Sequence, residues 1–316
     1  MTLAVVLNAV QCVLTLVIIG GTGYILARLG WFSADARALL PKLVTQVGLP
    51  PCMFYTVIHS FSRDALFHFA YGLLVPAVSI LLTFGLSLPL AALLRVPARR
   101  RGIFRVSCAF SNTIFIGLPV NLALFGQEAL PYVLLYYFAN TTFFWTLGNA
   151  FIARDADKGG TAVFSRASLR AILSPPMLGF LLGILVLLLE VPMPSFLDNA
   201  ARYLGDITVP LIIMSLGISL QGSRLRLIFP GKELAGILAG RFLISPLTII
   251  LLALVLPLPD LMRQVFIIQS SLPVGASVAI LAAYHKTEPE FGSLAVSSST
   301  LLSLITIPVF MVIASS

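Results

Sequence analysis

The sequence predicts an all-α polytopic membrane protein whose ten transmembrane helices form two inverted five-helix repeats. Composition is the first reason: the 316 residues are 59% hydrophobic and 10% charged, with a mean hydropathy of +1.02, whereas soluble domains carry about 25% charged residues. The second reason is that the apolar runs reach the length of about 20 residues that a spanning helix needs. The third is that two of these runs, at corresponding places in the two halves, are interrupted by proline, glycine and polar residues.

Ten apolar runs follow one another with short connections. The predicted spans are 4–27, 38–59, 66–94, 103–125, 130–153, 169–189, 197–220, 234–256, 262–284 and 291–313. The first run lacks a basic start and a small-residue cleavage site, so it is predicted to be a retained helix and not a signal peptide. It contains Gly20, Gly21 and Gly23, which predict close packing against another helix.

The basic residues predict the orientation. If the N-terminus is outside, sixteen Lys and Arg residues lie in inner loops or helix ends and three lie in outer ones. The positive-inside rule therefore predicts a cell (inner) membrane protein with both termini outside. The net charge of +8 resides in these loops, which argues against nucleic acid as a partner. Three cysteines within apolar spans, Cys12, Cys52 and Cys108, imply no disulfide framework.

A polar, glycine-bearing segment separates the two halves. The predicted first repeat is 1–155, the cytoplasmic linker is 156–167 and the second repeat is 168–316. Five spans per half force the second half to enter the membrane upside down. Residue pairs at a near-constant offset support the repeat. The offset is 158 for Gly117 and Gly275, for Arg105 and Arg263, and for Thr142 and Thr300, while it is 157 for Pro89 and Pro246 and 160 for Pro50 and Pro210.

The interruptions of the fourth and ninth spans predict the binding site. Polar and irregular backbone in hydrocarbon must be buried in protein or line a cavity, and broken helices expose backbone N–H groups that suit a carboxylate. Asn140 and Ser298 belong to polar clusters that follow the breaks, although such clusters also bond within their own helix or join helices. The predicted substrate-binding residues are Ser111, Asn112, Thr113, Gly117, Pro119, Asn140, Ser270, Ser271, Pro273, Gly275 and Ser298.

Two further ionisable residues lie within spans and are candidates for coupling. Asp206 is either a proton-titrating or helix-pairing acid, or a residue near the outer interface. Arg241 lies nine residues beyond Lys232, about 13 Å deeper along a helix. Its side chain either snorkels back to the inner surface, contacts an anion or forms an ion pair in the scaffold.

Several motifs resemble the auxin efflux carrier family, which includes plant auxin exporters and bacterial permeases described as malonate or malate carriers. The resemblance covers essentially the whole chain. It implies that the fourth and ninth helices are broken and cross, that helices 1, 2, 6 and 7 form a scaffold with the dimer contact, and that helices 3–5 and 8–10 move. The motifs are Ser111–Pro119, Val209-Pro210-Leu211 with Leu216-Gly217, Leu272-Pro273, and Thr300–Ser303 continuing to Pro308.

The resulting functional prediction is a secondary active carrier of a small organic anion, a carboxylate, working as a homodimer by elevator-type alternating access. Proton coupling stays open. Sodium is disfavoured because Gln269-Ser270-Ser271 has no acid where sodium symporters of similar architecture have a glutamate, and hard-cation sites usually recruit carboxylates. No cofactor, metal site or ATP-binding motif is predicted. A gated channel or substrate sensor with the same fold is the alternative, and an intramembrane enzyme is disfavoured.

Overall fold

The computed structural model describes residues 3–61, 65–156, 172–222 and 231–315. Within these ranges the regular elements are helices, which confirms the all-α prediction. The α-helices are α1 (Leu3–Arg28), α2 (Ala34–Leu43), α3 (Leu49–Ser60), α4 (Ala65–Leu93), α5 (Arg101–Ala109), α6 (Leu118–Phe125), α7 (Leu130–Phe143), α8 (Asn149–Arg154), α9 (Pro175–Leu188), α10 (Ser195–Asp206), α11 (Thr208–Gly222), α12 (Lys232–Ala239), α13 (Ser245–Val255), α14 (Asp260–Ser270), α15 (Ser277–Tyr284) and α16 (Pro289–Ser315). Single π-helical turns occupy Val44–Gly48, Thr113–Gly117, Phe144–Gly148 and Gly240–Ile244.

Several helices are long and apolar enough to cross a membrane. Among the described residues these are Gly72–Leu93, Ser195–Ile218, Lys232–Val255 and Pro289–Ala314. Shorter apolar helices lie at Val17–Arg28, Thr113–Phe125 and Pro175–Leu188. The count of ten spans and the inverted repeat stay predictions. Most of the predicted linker, 157–167, and the start of the sixth span, 169–171, lie outside the described residues.

The chain divides into two compact units. The first unit comprises Met1–Ala70, Ile114–Leu134 and Leu173–Arg224. The second unit comprises Tyr71–Thr113, Leu135–Ile172 and Leu225–Ser316. Each unit therefore takes segments from both halves of the sequence, and the boundary at Thr113 falls inside the interrupted fourth span.

Glycines bring helices of the first unit into backbone contact. A Cβ atom at Gly217 on α11 would overlap the carbonyl oxygen of Gly20 on α1, and one at Gly23 would overlap that of Met214. On α9, a Cβ atom at Gly179 would overlap the carbonyl oxygen of Pro50. Such contacts need residues without a side chain, so the predicted close packing is confirmed at Gly20 and Gly23. It is not seen at Gly21, where a Cβ atom would have nothing within 4 Å.

Helix α5 packs among the helices of the second unit. It contacts α8, α12, α15 and α16, and all its residues from Gly102 to Ala109 except Arg105 are buried. Just before α5, Arg100 donates to Glu233 at 2.8 Å and to Glu288 at 2.7 Å, which ties together the starts of α12 and α16. These contacts fix where the C-terminal end of α5 lies, and the candidate site begins at that end.

Candidate binding site

Two helices of the second unit stop abruptly and their extended continuations meet. Helix α5 ends at Ala109 and α14 at Ser270, and the residues that follow each end are not helical. The two extended segments form an antiparallel bridge between Ser111 and Val274, in which the Asn112 N–H donates to the Pro273 carbonyl at 2.9 Å. The second break falls where the sequence predicts an interruption of the ninth span. The first overlaps the predicted stretch of the fourth span only at Ser111 and Asn112, because the residues from Thr113 onward are helical. We refer to Phe110–Asn112 and Ser271–Ala276 together as the crossing.

Asn140 on α7 holds the first segment of the crossing. Its Oδ1 accepts from the Ser111 N–H at 3.1 Å and its Nδ2 donates to the Ser111 carbonyl at 3.2 Å. Both bonds are buried, as is the Asn140 side chain, which is 6% exposed. The Asn140 amide thus pairs with the Ser111 N–H and carbonyl in the way that the backbone of a neighbouring β-strand would. Leaving these two buried backbone groups without partners would cost free energy.

Ser299 on α16 holds the second segment. Its Oγ accepts from the Val274 N–H at 3.0 Å, and the Gln269 side chain donates to the Thr113 carbonyl at 3.4 Å. Sequence reasoning chose Ser298, which is half-buried, and missed both Ser299 and Gln269. A repeat offset of 159 instead of 158 would have paired Asn140 with Ser299.

The serines at the end of α14 bond to their own helix. The Ser270 hydroxyl donates to the Ile267 carbonyl at 2.8 Å and the Ser271 hydroxyl donates to the Ile268 carbonyl at 2.9 Å. A serine has one O–H donor, so both hydroxyls are left as acceptors. Neither side chain has a donor to offer a carboxylate in this arrangement.

Arg241 lies on the buried side of the crossing. It belongs to the π-helical turn between α12 and α13 and is 0% exposed. Its guanidinium donates to the Cys108 carbonyl at 3.3 Å, to the Ser245 hydroxyl at 2.6 Å and to the Ser270 carbonyl. The snorkelling interpretation is therefore wrong, because the side chain points into the second unit. Within the described part of the chain, no carboxylate forms an ion pair with it.

The opposite side of the crossing is accessible. Asn112 and Gly275 are half-buried, and Ser277, the first residue of α15, is exposed. A Cβ atom at Gly275 would lie 3.6 Å from the Ser111 carbonyl oxygen and 4.0 Å from the Asn112 nitrogen. Asn112 therefore adjoins the N-terminal end of α15, which carries partial positive charge. Ser111, Thr113 and Pro273 are buried beside it.

Three of the predicted residues belong to the first unit. Gly117 closes a π-helical turn, and its carbonyl accepts from the Asn121 side chain at 2.7 Å. Pro119 is the second residue of α6 and lies inside the continuous helical segment Thr113–Phe125, where its missing N–H removes one backbone donor. Asp206 is the last residue of α10 and is exposed. The crossing itself is built without them, from residues of the second unit.

Comparisons with known proteins identify the family of this chain and several relatives named as transporters. The family model described as "Membrane transport protein" (Mem_trans) matches residues 8–311. An "Uncharacterized transporter" of Methanothermobacter thermautotrophicus is 30% identical over 97% of this chain and 99% of its own length. A second one, from Methanocaldococcus jannaschii, is 26% identical over 95% and 96%. A protein of Rhizobium meliloti named "Putative malonate transporter" is 22% identical over 90% and 89%. This chain therefore belongs to the Mem_trans family of membrane transport proteins, the auxin efflux carrier family.

Proposed function

We propose that this transporter is a secondary carrier that moves a small carboxylate-bearing anion and binds it on the accessible side of the crossing. The observation that carries the proposal is the difference between the two sides. The buried side holds the C-terminal ends of α5 and α14 together with Arg241. The accessible side holds Asn112 and the N-terminal end of α15.

The charges of the helix ends favour a carboxylate on the accessible side. A helix N-terminus carries roughly +0.5 elementary charge and its first N–H groups lack intrahelical partners. Of those at the start of α15, the Val278 N–H already donates to the Gly275 carbonyl at 3.1 Å. The residue before α15 is Ala276, which has no side-chain acceptor to cap those groups. A carboxylate oxygen can accept from them and from the Asn112 amide, which also provides a donor. The printed name of the Rhizobium meliloti relative, "Putative malonate transporter", fits a carboxylate substrate.

The division into units supports an elevator mechanism. The second unit contains most of the third and fifth predicted spans, the eighth, ninth and tenth, and the first half of the fourth. The first unit contains the first, second and seventh spans and most of the sixth. Ile114–Leu134, which includes α6, is in the first unit, whereas the family scheme assigns it to the moving part. In this proposal the second unit moves the anion against a scaffold. The scaffold mediates a homodimer in the inner membrane, with both termini outside.

Counterflow separates this carrier from a channel or sensor of the same fold. Purified protein in liposomes preloaded with unlabelled malonate, or with a monocarboxylate as a second probe, is placed in labelled external substrate. A carrier takes up label transiently above the external concentration, because unlabelled substrate leaving the liposome returns the binding site outward. Label that only equilibrates, at any preloading, would reject the carrier and favour the channel.

Coupling to protons leads to a prediction for Asp206. Asp206 is the last residue of α10 in the first unit, and it is exposed. If it carries the transported proton, Asp206→Asn abolishes uptake driven by a pH gradient and leaves substrate exchange intact. Asp198→Asn is the matched control. It makes the same substitution on the same helix, but at a carboxylate that is already paired with His59 at 2.6 Å. Gradient-driven uptake that persists in Asp206→Asn restricts Asp206 to a structural role.

A further inference from the structure

We propose that the Arg241 guanidinium is a covalently attached substitute for a coupling cation at the crossing, so that binding and transport proceed without sodium. In this role Arg241 is a positioning residue, because it acts on the site through the ends of the two broken helices. It rests on the proposed function only in taking the crossing as the transport site. The observation behind it is that one buried cation reaches the carbonyl ends of both broken helices.

The carbonyl oxygens around Arg241 are those that lack helical partners. Cys108 and Ser270 lie among the last four residues of α5 and α14, whose carbonyls have no intrahelical donor. Two guanidinium nitrogens reach them: Nη1 reaches the Cys108 carbonyl and Nη2 reaches that of Ser270. The Ser245 hydroxyl donates to the Ser270 carbonyl as well, at 3.0 Å, and accepts from Arg241. Unwound carbonyls and half-helix C-termini of this kind hold sodium ions or protons in other transporters.

The charges balance without a carboxylate. Each helix C-terminus carries roughly −0.5 elementary charge, so two of them together amount to about −1, which a single guanidinium cancels. An arginine side chain stays protonated in proteins, so this positive charge is permanent. In the described part of the chain no acid pairs with Arg241, and the two helix C-termini supply the negative charge that balances its guanidinium. A second cation at the same carbonyls would meet both repulsion and a filled space.

Local packing fixes the guanidinium at this position. Gly236 and Gly240, one helical turn apart, let α5 approach α12: a Cβ atom at Gly240 would lie 2.6 Å from the Cys108 Sγ atom. The π-helical turn Gly240–Ile244 begins at the same glycine, and π-helical turns are frequent at functional sites. Because α5 lies this close, the Cys108 carbonyl is within reach of a side chain from the neighbouring helix.

The test compares thermal stability in sodium and in choline, without substrate. Wild-type protein is expected to melt at the same temperature in both salts. Arg241→Ala exposes the carbonyls and opens a cavity, so its melting temperature is expected to fall by several degrees in choline and to recover in part in sodium. Millimolar guanidinium, far below denaturing concentrations, is expected to raise its melting temperature further, because the free ion can refill the site. Wild type and the exposed control Arg202→Ala should not respond to any of these cations.

Two variants of similar volume cover the case in which Arg241→Ala does not fold. Arg241→Lys keeps a positive charge and Arg241→Met does not, so the lysine variant is expected to melt higher and to retain more substrate uptake. Equal melting temperatures for the lysine and methionine variants would overturn the inference, as would an Arg241→Ala protein that folds and ignores both cations. A sodium-dependent wild type would overturn it as well.

The outcome is separable from that of the proposed function. The melting experiments contain no carboxylate, so they test Arg241 whether or not the crossing binds one. Cation rescue together with absent counterflow would support the attached cation and reject the carrier. Counterflow that persists in an Arg241→Ala protein that folds and ignores both cations would support the carrier and reject the attached cation.

Discussion

Replacing Asn112 by leucine is expected to weaken carboxylate binding by roughly ten- to a hundredfold. A hydrogen bond to a charged group is worth about 1.5–3 kcal/mol, which corresponds to that range of affinity. Asn112 is half-buried beside the N-terminal end of α15, and leucine keeps its branched shape while replacing the amide oxygen and nitrogen by methyl groups. The backbone bond from the Asn112 N–H to the Pro273 carbonyl does not involve the side chain and can persist. Affinity should therefore change more than stability.

Calorimetric titration of purified protein measures this effect, using whichever carboxylate raises the melting temperature of the wild type by mass action. Leu122→Ala serves as the control, because it removes apolar volume from α6 and leaves the amide of Asn112 intact. Its affinity should stay close to that of the wild type. Unaltered binding by Asn112→Leu would place the substrate elsewhere and reject the accessible side of the crossing as its site.

The positions of the two breaks could be predicted because local chemistry determines them. Pro273 follows Ser270 within three residues, and proline both lacks an N–H and restricts the residue before it. Asn112 weakens the helical preference at the first break itself, whereas Gly117 and Pro119, which also suggested an interruption, lie in the helical segment Thr113–Phe125 that follows it. The hydroxyls of Ser270 and Ser271 donate to carbonyls three residues earlier, and serine commonly forms such local hydrogen bonds. Such features depend on neighbours in sequence.

The partners at the crossing could not be predicted, because they come from distant segments. Asn140 reaches Ser111 across 29 residues, and Ser299 reaches Val274 across 25. A one-residue error in the repeat offset selects Ser298 instead of Ser299, and only Ser299 is the residue whose side chain bonds to the crossing. Similarity of the two halves indicates the right helix but does not determine which face of it meets the crossing.

Arg241 shows the same limit for a charged residue. Counting residues from Lys232 places it deep in the eighth span, and this depth fits its complete burial. The direction of its side chain depends on a π-helical turn and on how closely α5 approaches Gly240, neither of which is apparent in the apolar pattern. General experience with arginine favours snorkelling, and here two carbonyl ends inside the second unit provide better partners.

Asn140→Leu is expected to cause the largest loss of stability among the site variants. It removes the donor and the acceptor that pair with the Ser111 backbone, and each buried group left unsatisfied costs about 1–3 kcal/mol. The two together amount to roughly 2–6 kcal/mol, because leucine fills the volume but offers no polar atom. The segment Phe110–Asn112 should then lose its fixed position, so substrate affinity falls together with stability.

Thr142→Val on the same helix is the matched control. In the described part of the chain the Thr142 hydroxyl is buried without a hydrogen-bond partner, so exchanging it for a methyl group should leave stability nearly unchanged. Denaturation of both purified variants, with and without carboxylate, measures the two effects. If Asn140→Leu loses affinity but not stability, Asn140 binds substrate directly, as its place in a polar cluster first suggested. If it loses neither, the Ser111 backbone finds other partners, and the amide of Asn140 does not determine the geometry of the crossing.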